Sequence, residues 1–312
     1  MSKYLYFQDL HCSGKTPTYR TDKYLDSIFL KLEEIVSIAK TNKCDSIISG
    51  GDNLDSSIVS LPICDRFIDT IEKGKTPFYT IWGNHEEESH NPELSKSTTL
   101  QHMFNRSTLI NCLDVIENKE TFIQGFSYFH NCEEKIKEKG IFHDKKDKFT
   151  IGVVHSMITL KPFHPSVLHV QIKDIKTNYD AVLIGHYHQP WGIKEINNTK
   201  FINIGCIGRK SIDEKDIKPS VLLIDTDKRE IKIIELKSAK PGKEVFDLEK
   251  VKAKKEFEGN INKFMESLDS TELQSIDLIG KVNEIGKNSN TDKEIIDDLV
   301  KRVSIAQNKG GI

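Results

Sequence analysis

Within the first 190 residues, several short apolar runs each close on side chains that can ligate a metal ion, and this recurrence constrains the fold more tightly than any other feature. "YLYFQDLH" (4–11) ends in Asp9 and His11, "SIISGGD" (46–52) in Asp52, and "FYTIWGNH" (78–85) in Asn84 and His85. "TIGVVH" (150–155) ends in His155, and "AVLIGHYH" (181–188) in His186 and His188. Short apolar runs bounded by glycine and polar residues read as buried strands. In α/β sheets, ligands gather beyond the carboxyl ends of the strands, where loops from different strands converge. The recurrence therefore predicts one site built from eight side chains far apart in sequence.

The intervening segments supply helices. Residues 22–40 place Leu25, Ile28, Phe29, Leu32, Ile35, Val36 and Ala39 at helical spacing, and a second helix is expected over 61–73. Strands are expected at 3–7, 45–49, 77–82, 121–126, 150–154 and 181–184. Strand, helix, strand alternation implies a parallel sheet covered by helices. Further on, the pattern changes to strand pairs turning at Asn197-Asn198 and Asp227-Lys228, so the later part of the sheet system reads as hairpin-built.

Pro241 and Gly242 within "SAKPGKE" (238–244) interrupt the pattern. The chain thus divides into a domain over 1–240 that carries the predicted site and a helical extension over 241–312. In the extension, Phe257, Ile261, Phe264, Met265 and Leu268 form one stripe, and Ile295, Ile296, Leu299, Val300 and Val303 another. Thr291 and Glu294 have capping-box spacing ahead of the last helix. Such an extension either packs back on its own domain or docks on a partner.

Composition narrows the class. The 312 residues, 37% of them hydrophobic, suffice for a sizeable core. No apolar stretch approaches the roughly 18–20 residues of a membrane helix, and the start lacks the pattern of a signal peptide, so a cytoplasmic protein with no membrane partner is expected. Cysteines 12, 44, 64, 112, 132 and 206 show no CxxC spacing and read as reduced and mostly buried. Cys12 beside His11 is not expected to be a ligand. The formal net charge of −2 argues against a surface given over wholly to nucleic acid, while leaving room for a local basic stripe. The lysine-rich segment 133–149 is balanced by acids and reads as a solvated face.

The donor types favour a pair of metal ions. Asp9 and His11 stand two residues apart, as do His186 and His188, so in an extended segment each pair would face one way. Gly51, Gly83 and Gly185 immediately precede Asp52, Asn84 and His186, where a tight turn or close backbone approach is useful. Imidazoles with carboxylates suit Mn, Fe, Zn or Co, and a carboxylate such as Asp52 can bridge two ions about 3.5–4 Å apart. Two divalent ions set against only two aspartates leave an excess of positive charge, which attracts a phosphate anion.

The ordered segments "DLH", "GGDN", "GNHE", "VVHS" and "GHYH" resemble the five signature segments of calcineurin-like metallophosphoesterases, across roughly residues 3–190. Within that superfamily, "DLHCSG", "SIISGGDNLDSS", "GNHEEE" and "FINIGCIGR" are most similar to SbcD-type DNA nuclease subunits, which act beside an SMC-like coiled-coil ATPase in DNA repair and recombination. The resemblance implies an α/β fold of two packed mixed β-sheets flanked by helices. It implies two divalent ions, manganese foremost, with Asp9, His11 and His188 on one, Asn84, His155 and His186 on the other, and Asp52 bridging. His85 would contact the phosphate and protonate the leaving oxygen. DNA as substrate, the ATPase as partner and a homodimer are implied as well. Many double-strand-break repair nucleases of the superfamily carry a further histidine three residues after the bridging aspartate; here that position is Asp55. The extension is also short for a full DNA-capping domain.

The competing readings share the metal centre or drop it. A small-molecule phosphodiesterase or phosphomonoesterase would use the same residues. Protein Ser/Thr phosphatases carry Asp-Arg-Gly after the metal aspartate, whereas "DNLDSS" follows the glycines here. A non-catalytic scaffold would have shed ligands, and all eight candidates are present.

Overall fold

The computed structural model describes residues 2–88, 94–266, 278–288 and 292–310. The chain begins with β1 (Lys3–Phe7), α1 (Tyr24–Thr41), β2 (Ser46–Ser49), α2 (Leu61–Gly74), β3 (Phe78–Thr80), α3 (Thr99–Arg106) and β4 (Ile110–Cys112). Strands β1 to β4 pair in parallel, as the strand-helix alternation predicts. The amphipathic stripe of α1 is why it covers this sheet: Ile28, Phe29, Leu32, Ile35 and Ala39 are all buried, and they share a core with Leu5 and Phe7 of β1 and Phe67 and Ile71 of α2.

A second run follows: β5 (Val115–Glu117), β6 (Thr121–Phe126), α4 (Cys132–Lys139), β7 (Phe149–His155), β8 (Ile158–Thr159), β9 (Val170–Gln171), β10 (Ala181–Gly185), β11 (Gly192–Ile196) and β12 (Thr199–Asn203). These build a sheet in the order β11-β12-β10-β7-β6-β5, with β8 and β9 forming a small ladder apart. The next pair, β13 (Ser220–Asp225) and β14 (Glu230–Glu235), returns to the first sheet, whose order is β14-β13-β1-β2-β3-β4. Antiparallel pairing is confined to the flanks of the sheets, at β5, β11, β13 and β14, so the later region is hairpin-built only there. The four strands β6, β7, β10 and β12 run parallel.

Alternation along the strands sorts side chains into layers. Tyr4 and Tyr6 of β1 meet Ala181 and Leu183 of β10 and Ile151 and Val153 of β7, so the two sheets pack face to face. The opposite faces carry helices: Leu5 and Phe7 look toward α1 and α2, and Val182 and Ile184 share a core with Ile136 of α4. Two mixed sheets flanked by helices are what the resemblance to metallophosphoesterases implies.

The chain separates into two compact units, Met1–Val245 and Phe246–Ile312. The first ends in α5 (Gly242–Val245), where the Val245 carbonyl accepts from the Thr21 N–H at 3.0 Å. The second holds α6 (Leu248–Glu266), α7 (Leu278–Asn288) and α8 (Lys293–Gly310), and Phe257, Val282, Ile295 and Ile296 are buried in a core of their own. Thr291, the capping-box residue, and Leu268 lie outside the described residues, as do the side chains of Ile261, Phe264 and Met265.

Candidate metal centre

Because β1, β2 and β3 are parallel, and β7 and β10 likewise, the carboxyl ends within each set lie on one edge, and every predicted site residue sits at such an end. The two pairs spaced two apart do not rely on strand alternation, however. Strand β1 stops at Phe7 and β10 at Gly185, so Asp9, His11, His186 and His188 all lie in the loops beyond. Left-handed backbone aims three of these four and Asp52 as well: φ is 53° at Asp9, 50° at His11, 51° at Asp52 and 83° at His186. Non-glycine residues pay roughly 1–3 kcal/mol for such conformations, which concentrate at functional sites.

Hydrogen bonds hold these bends in place. The Asp9 N–H donates to the Gly51 carbonyl at 3.2 Å, and the His11 N–H to the Asp52 carbonyl at 2.9 Å, extending the β1-β2 pairing past the strand ends. Close approach explains two glycines: a Cβ at Gly83 would lie 2.0 Å from Asp52 Oδ1, and one at Gly185 2.3 Å from the Gly50 carbonyl oxygen.

All eight predicted residues are brought together. Donor atoms of Asp9, His11 and His188 lie within 4.8 Å of one another, and so do those of Asp52, His155 and His186. Asn84 joins the second set, its Oδ1 3.1 Å from His155 Nε2. Asp52 stands between the sets, with Oδ2 3.8 Å from His11 Nε2 and 3.5 Å from His155 Nε2. His85 is also within reach of His11 and Asp52, but its side chain is 37% exposed, against 1% for both of theirs. Its N–H donates to Asp52 Oδ1 at 3.0 Å. Cys12 belongs to none of the donor groups found among the described residues, and burial pushes its thiol up to about 12, so it is no thiolate.

The donor set fits divalent ions. His11 Nε2 and His188 Nε2 face each other at 2.9 Å, so the two rings aim their nitrogens at one point. Burial disfavours charge on Asp52, yet His155, His11 and His85 hold its carboxyl well below the usual range. Burial likewise opposes protonation of His155, but the Asp52 carboxylate pushes it up to about 9. His188 is desolvated too, and Cys206 and Glu214 nevertheless push it up to about 12. Protons are drawn to the places where a metal ion would supply the charge. His186 behaves oppositely: burial first, then neighbouring His155, lowers it to about 4, leaving a neutral imidazole able to ligate.

Three supporting residues escape a sequence reading of the ligands. Glu214 Oε1 lies 2.6 Å from His188 Nδ1, which leaves Nε2 to face the centre. The capping-box spacing of Ser211 and Glu214 signals its helical turn, but nothing signals its reach to His188. Asp55 takes the position of the absent histidine: its Oδ1 is 3.3 Å from His11 Nδ1, its carbonyl oxygen 3.0 Å from His85 Nδ1, and it pairs with Lys210. Glu86, fully buried, accepts from the N–H groups of Asp52, Asn53, Leu54 and Gly83 at 2.8–3.2 Å, and so ties the loops after β2 and β3 together. The "GNHE" segment names Glu86 without revealing that task.

Fold and donor set together define a metal-dependent phosphoesterase. The chain belongs to the calcineurin-like phosphoesterase superfamily, whose domain model matches residues 9–229. That match spans every candidate ligand, and the superfamily uses divalent metals. Among solved structures, a dimetal phosphatase from Danio rerio aligns at 11% identity and TM-score 0.44, and the Thermus thermophilus protein TT1561 at 12% and 0.44. The E. coli phosphoesterase Yfce aligns at 11% and 0.37; each alignment covers 75% of this chain and 98% of the other. No curated protein matches by sequence.

Proposed function

We propose that the chain is a two-metal phosphodiesterase that hydrolyses DNA, an SbcD-like nuclease subunit that works as a homodimer with an SMC-type coiled-coil ATPase, with manganese as its metal. The observation that carries the two-metal phosphoesterase reading is that Asp52, grouped with His155 and His186, also reaches His11 of the other three-residue donor group, with the more exposed His85 beside it. The DNA reading rests on the segments "DLHCSG", "GGDNLDSS", "GNHEEE" and "FINIGCIGR".

A pair of divalent ions would supply charge stabilisation at the phosphoryl oxygens and water acidic enough to attack phosphorus near neutral pH. Asp9, His11 and His188 would hold one ion, Asn84, His155 and His186 the other, and Asp52 would touch both. His85 orients through its Nδ1–H, which donates to the Asp55 carbonyl at 3.0 Å and leaves Nε2 to hand a proton to the departing oxygen.

The test compares manganese-dependent cleavage of single-stranded DNA, duplex DNA, nucleotide esters and a generic aryl phosphodiester. DNA cleavage is expected; hydrolysis of nucleotide esters without DNA cleavage would install the small-molecule phosphodiesterase in its place. His85→Ala is expected to slow turnover by about 10²–10⁴-fold while the metal content stays at wild-type level. Unchanged turnover would remove the proton-donor role.

A further inference from the structure

Both flanks of the metal centre continue into aromatic residues that the hydrolysis itself does not use. Tyr187 lies between His186 and His188, and its ring turns to Trp191, with centroids 5.8 Å apart and planes at 32°. Phe163 meets the same Tyr187 ring edge-on at 6.0 Å and 81°. Phe163 comes from the other flank, on the loop that starts just after His155 at the end of β7. The platform is therefore tethered to candidate ligands from two separate strands.

The loop is built to present Phe163. Its ends are clamped by the β8-β9 ladder, where Ile158 pairs with Val170 and Thr159 with Gln171. Within it, the Phe163 N–H donates to His169 Nε2 at 3.1 Å, and His169 Nδ1 lies 2.8 Å from the Val167 carbonyl oxygen. Although pinned in this way, the loop leaves Phe163 40% exposed, together with Leu160, Val167 and Leu168 at 37–52%. The charge is one-sided as well. From Ser156 to Lys173 there is no acidic residue, while Lys161 and Lys173 are present, in a chain with more acids than bases overall.

We propose that Phe163, Tyr187 and Trp191 form a stacking subsite for an unpaired nucleobase of the strand whose phosphodiester lies at the metal centre. The inference rests on the DNA-hydrolase reading and adds that the substrate region is single-stranded. Aromatic faces accept any base, and nearby cations follow the backbone, so the subsite discriminates nucleic-acid strands from other phosphodiesters without reading sequence. A simple phosphate ester would have nothing to place there.

The experiment measures binding of short phosphorothioate-linked strands, which resist hydrolysis, to the full-length protein in manganese. One strand carries thymines; the other carries abasic sites on the same backbone. The wild-type protein is expected to bind the thymine strand at least about fivefold more tightly, the scale of one stacked base. Phe163→Ala is expected to erase that preference, and Phe163→Trp to keep it. Equal binding of the two strands by the wild type overturns the subsite without recourse to any variant, and so does a preference that survives in a folded Phe163→Ala protein. The two readings fail separately. DNA cleavage without a base preference removes the subsite alone, and a base preference without DNA cleavage removes the nuclease reading alone.

Discussion

At the residue scale, the ligands were legible because each is a strong donor that ends an apolar run; the backbone that aims them was not. Asp9, His11, Asp52 and His186 all adopt positive φ, which nothing in their residue types demands. Hydropathy also misplaces one neighbour pair in α1: Leu30 is 53% exposed, while Lys31 is fully buried. The Lys31 amine donates to the Ile207 carbonyl at 2.9 Å, and Arg20 donates to the Arg209 carbonyl at 2.7 Å, so two basic side chains brace the loop beside the metal centre. Burial lowers Lys31 from its ordinary 10.5 to about 7, and the nearby Arg209 and Arg20 add to the effect. Between those two values the unfolded chain carries a proton here that the folded chain does not, so this group's contribution to stability rises with pH across that window. Relative to Lys31→Met, the wild type should therefore gain up to about 2–3 kcal/mol between pH 7.5 and 9.5, at about 1.36 kcal/mol per pH unit. Urea unfolding of both proteins at the two pH values checks this, and a constant difference would show that Lys31 stays charged throughout.

At the scale of elements, the long helices and the parallel strands were readable, since 3.6-residue periodicity in α1 and short, mostly apolar runs in β7 and β10 leave little choice. The short pieces were not. Strands β4 and β5 have three residues each and β8 and β9 two, too few to show a period. Helix α4 is "CEEKIKEK" and buries only Cys132, Glu133 and Ile136, so its charge hides its amphipathicity. Also unreadable was how the loop after β2 is fastened to the loop after β3. The Glu86 carboxylate does this by receiving four backbone N–H groups, and Glu86→Ala would leave all four buried without an acceptor. At about 1–3 kcal/mol for each orphaned donor, a loss of at least about 3 kcal/mol is expected even if the effects are far from additive. Because Asp52 sits in one loop and Asn84 in the other, metal content should fall in parallel. Glu86→Gln keeps one acceptor oxygen and should lose less of both. Denaturant unfolding and elemental analysis of the purified variants measure the two effects, and full metal loading of Glu86→Ala would mean that the glycine contacts alone position the loops.

At the scale of the whole molecule, the helical unit holds none of the candidate ligands, and under the proposed function it is the part that would dock on a partner. Every candidate ligand, together with Asp55, Glu86 and Glu214, belongs to Met1–Val245, and the three cores that hold the sheets lie in that unit too. The apolar stripes of the extension suggested a surface awaiting a partner, but Phe257, Val282, Ile295 and Ile296 are buried against one another, with Ile285, Leu299, Val300 and Val303 packed around them. Gly286 permits this closeness, since a Cβ there would lie 2.5 Å from Ile296 Cδ1. An ATPase that docks on this unit must therefore meet the polar outer faces of α6, α7 and α8, including Lys281, Glu284, Asp298 and Arg302, which form exposed ion pairs along the helices. Contacts of that kind are weak singly and are screened by salt. A chain ending at Val245 keeps the α5 hydrogen bond to Thr21 and all three cores, so it should stay folded, bind metal and hydrolyse a generic diester at the full-length rate. It should lose co-purification with a coiled-coil ATPase, and the full-length complex should dissociate as salt is raised. Retention of the ATPase by the truncated chain would move the docking surface to the catalytic unit, and a salt-insensitive complex would mean that the helices open their apolar core to the partner.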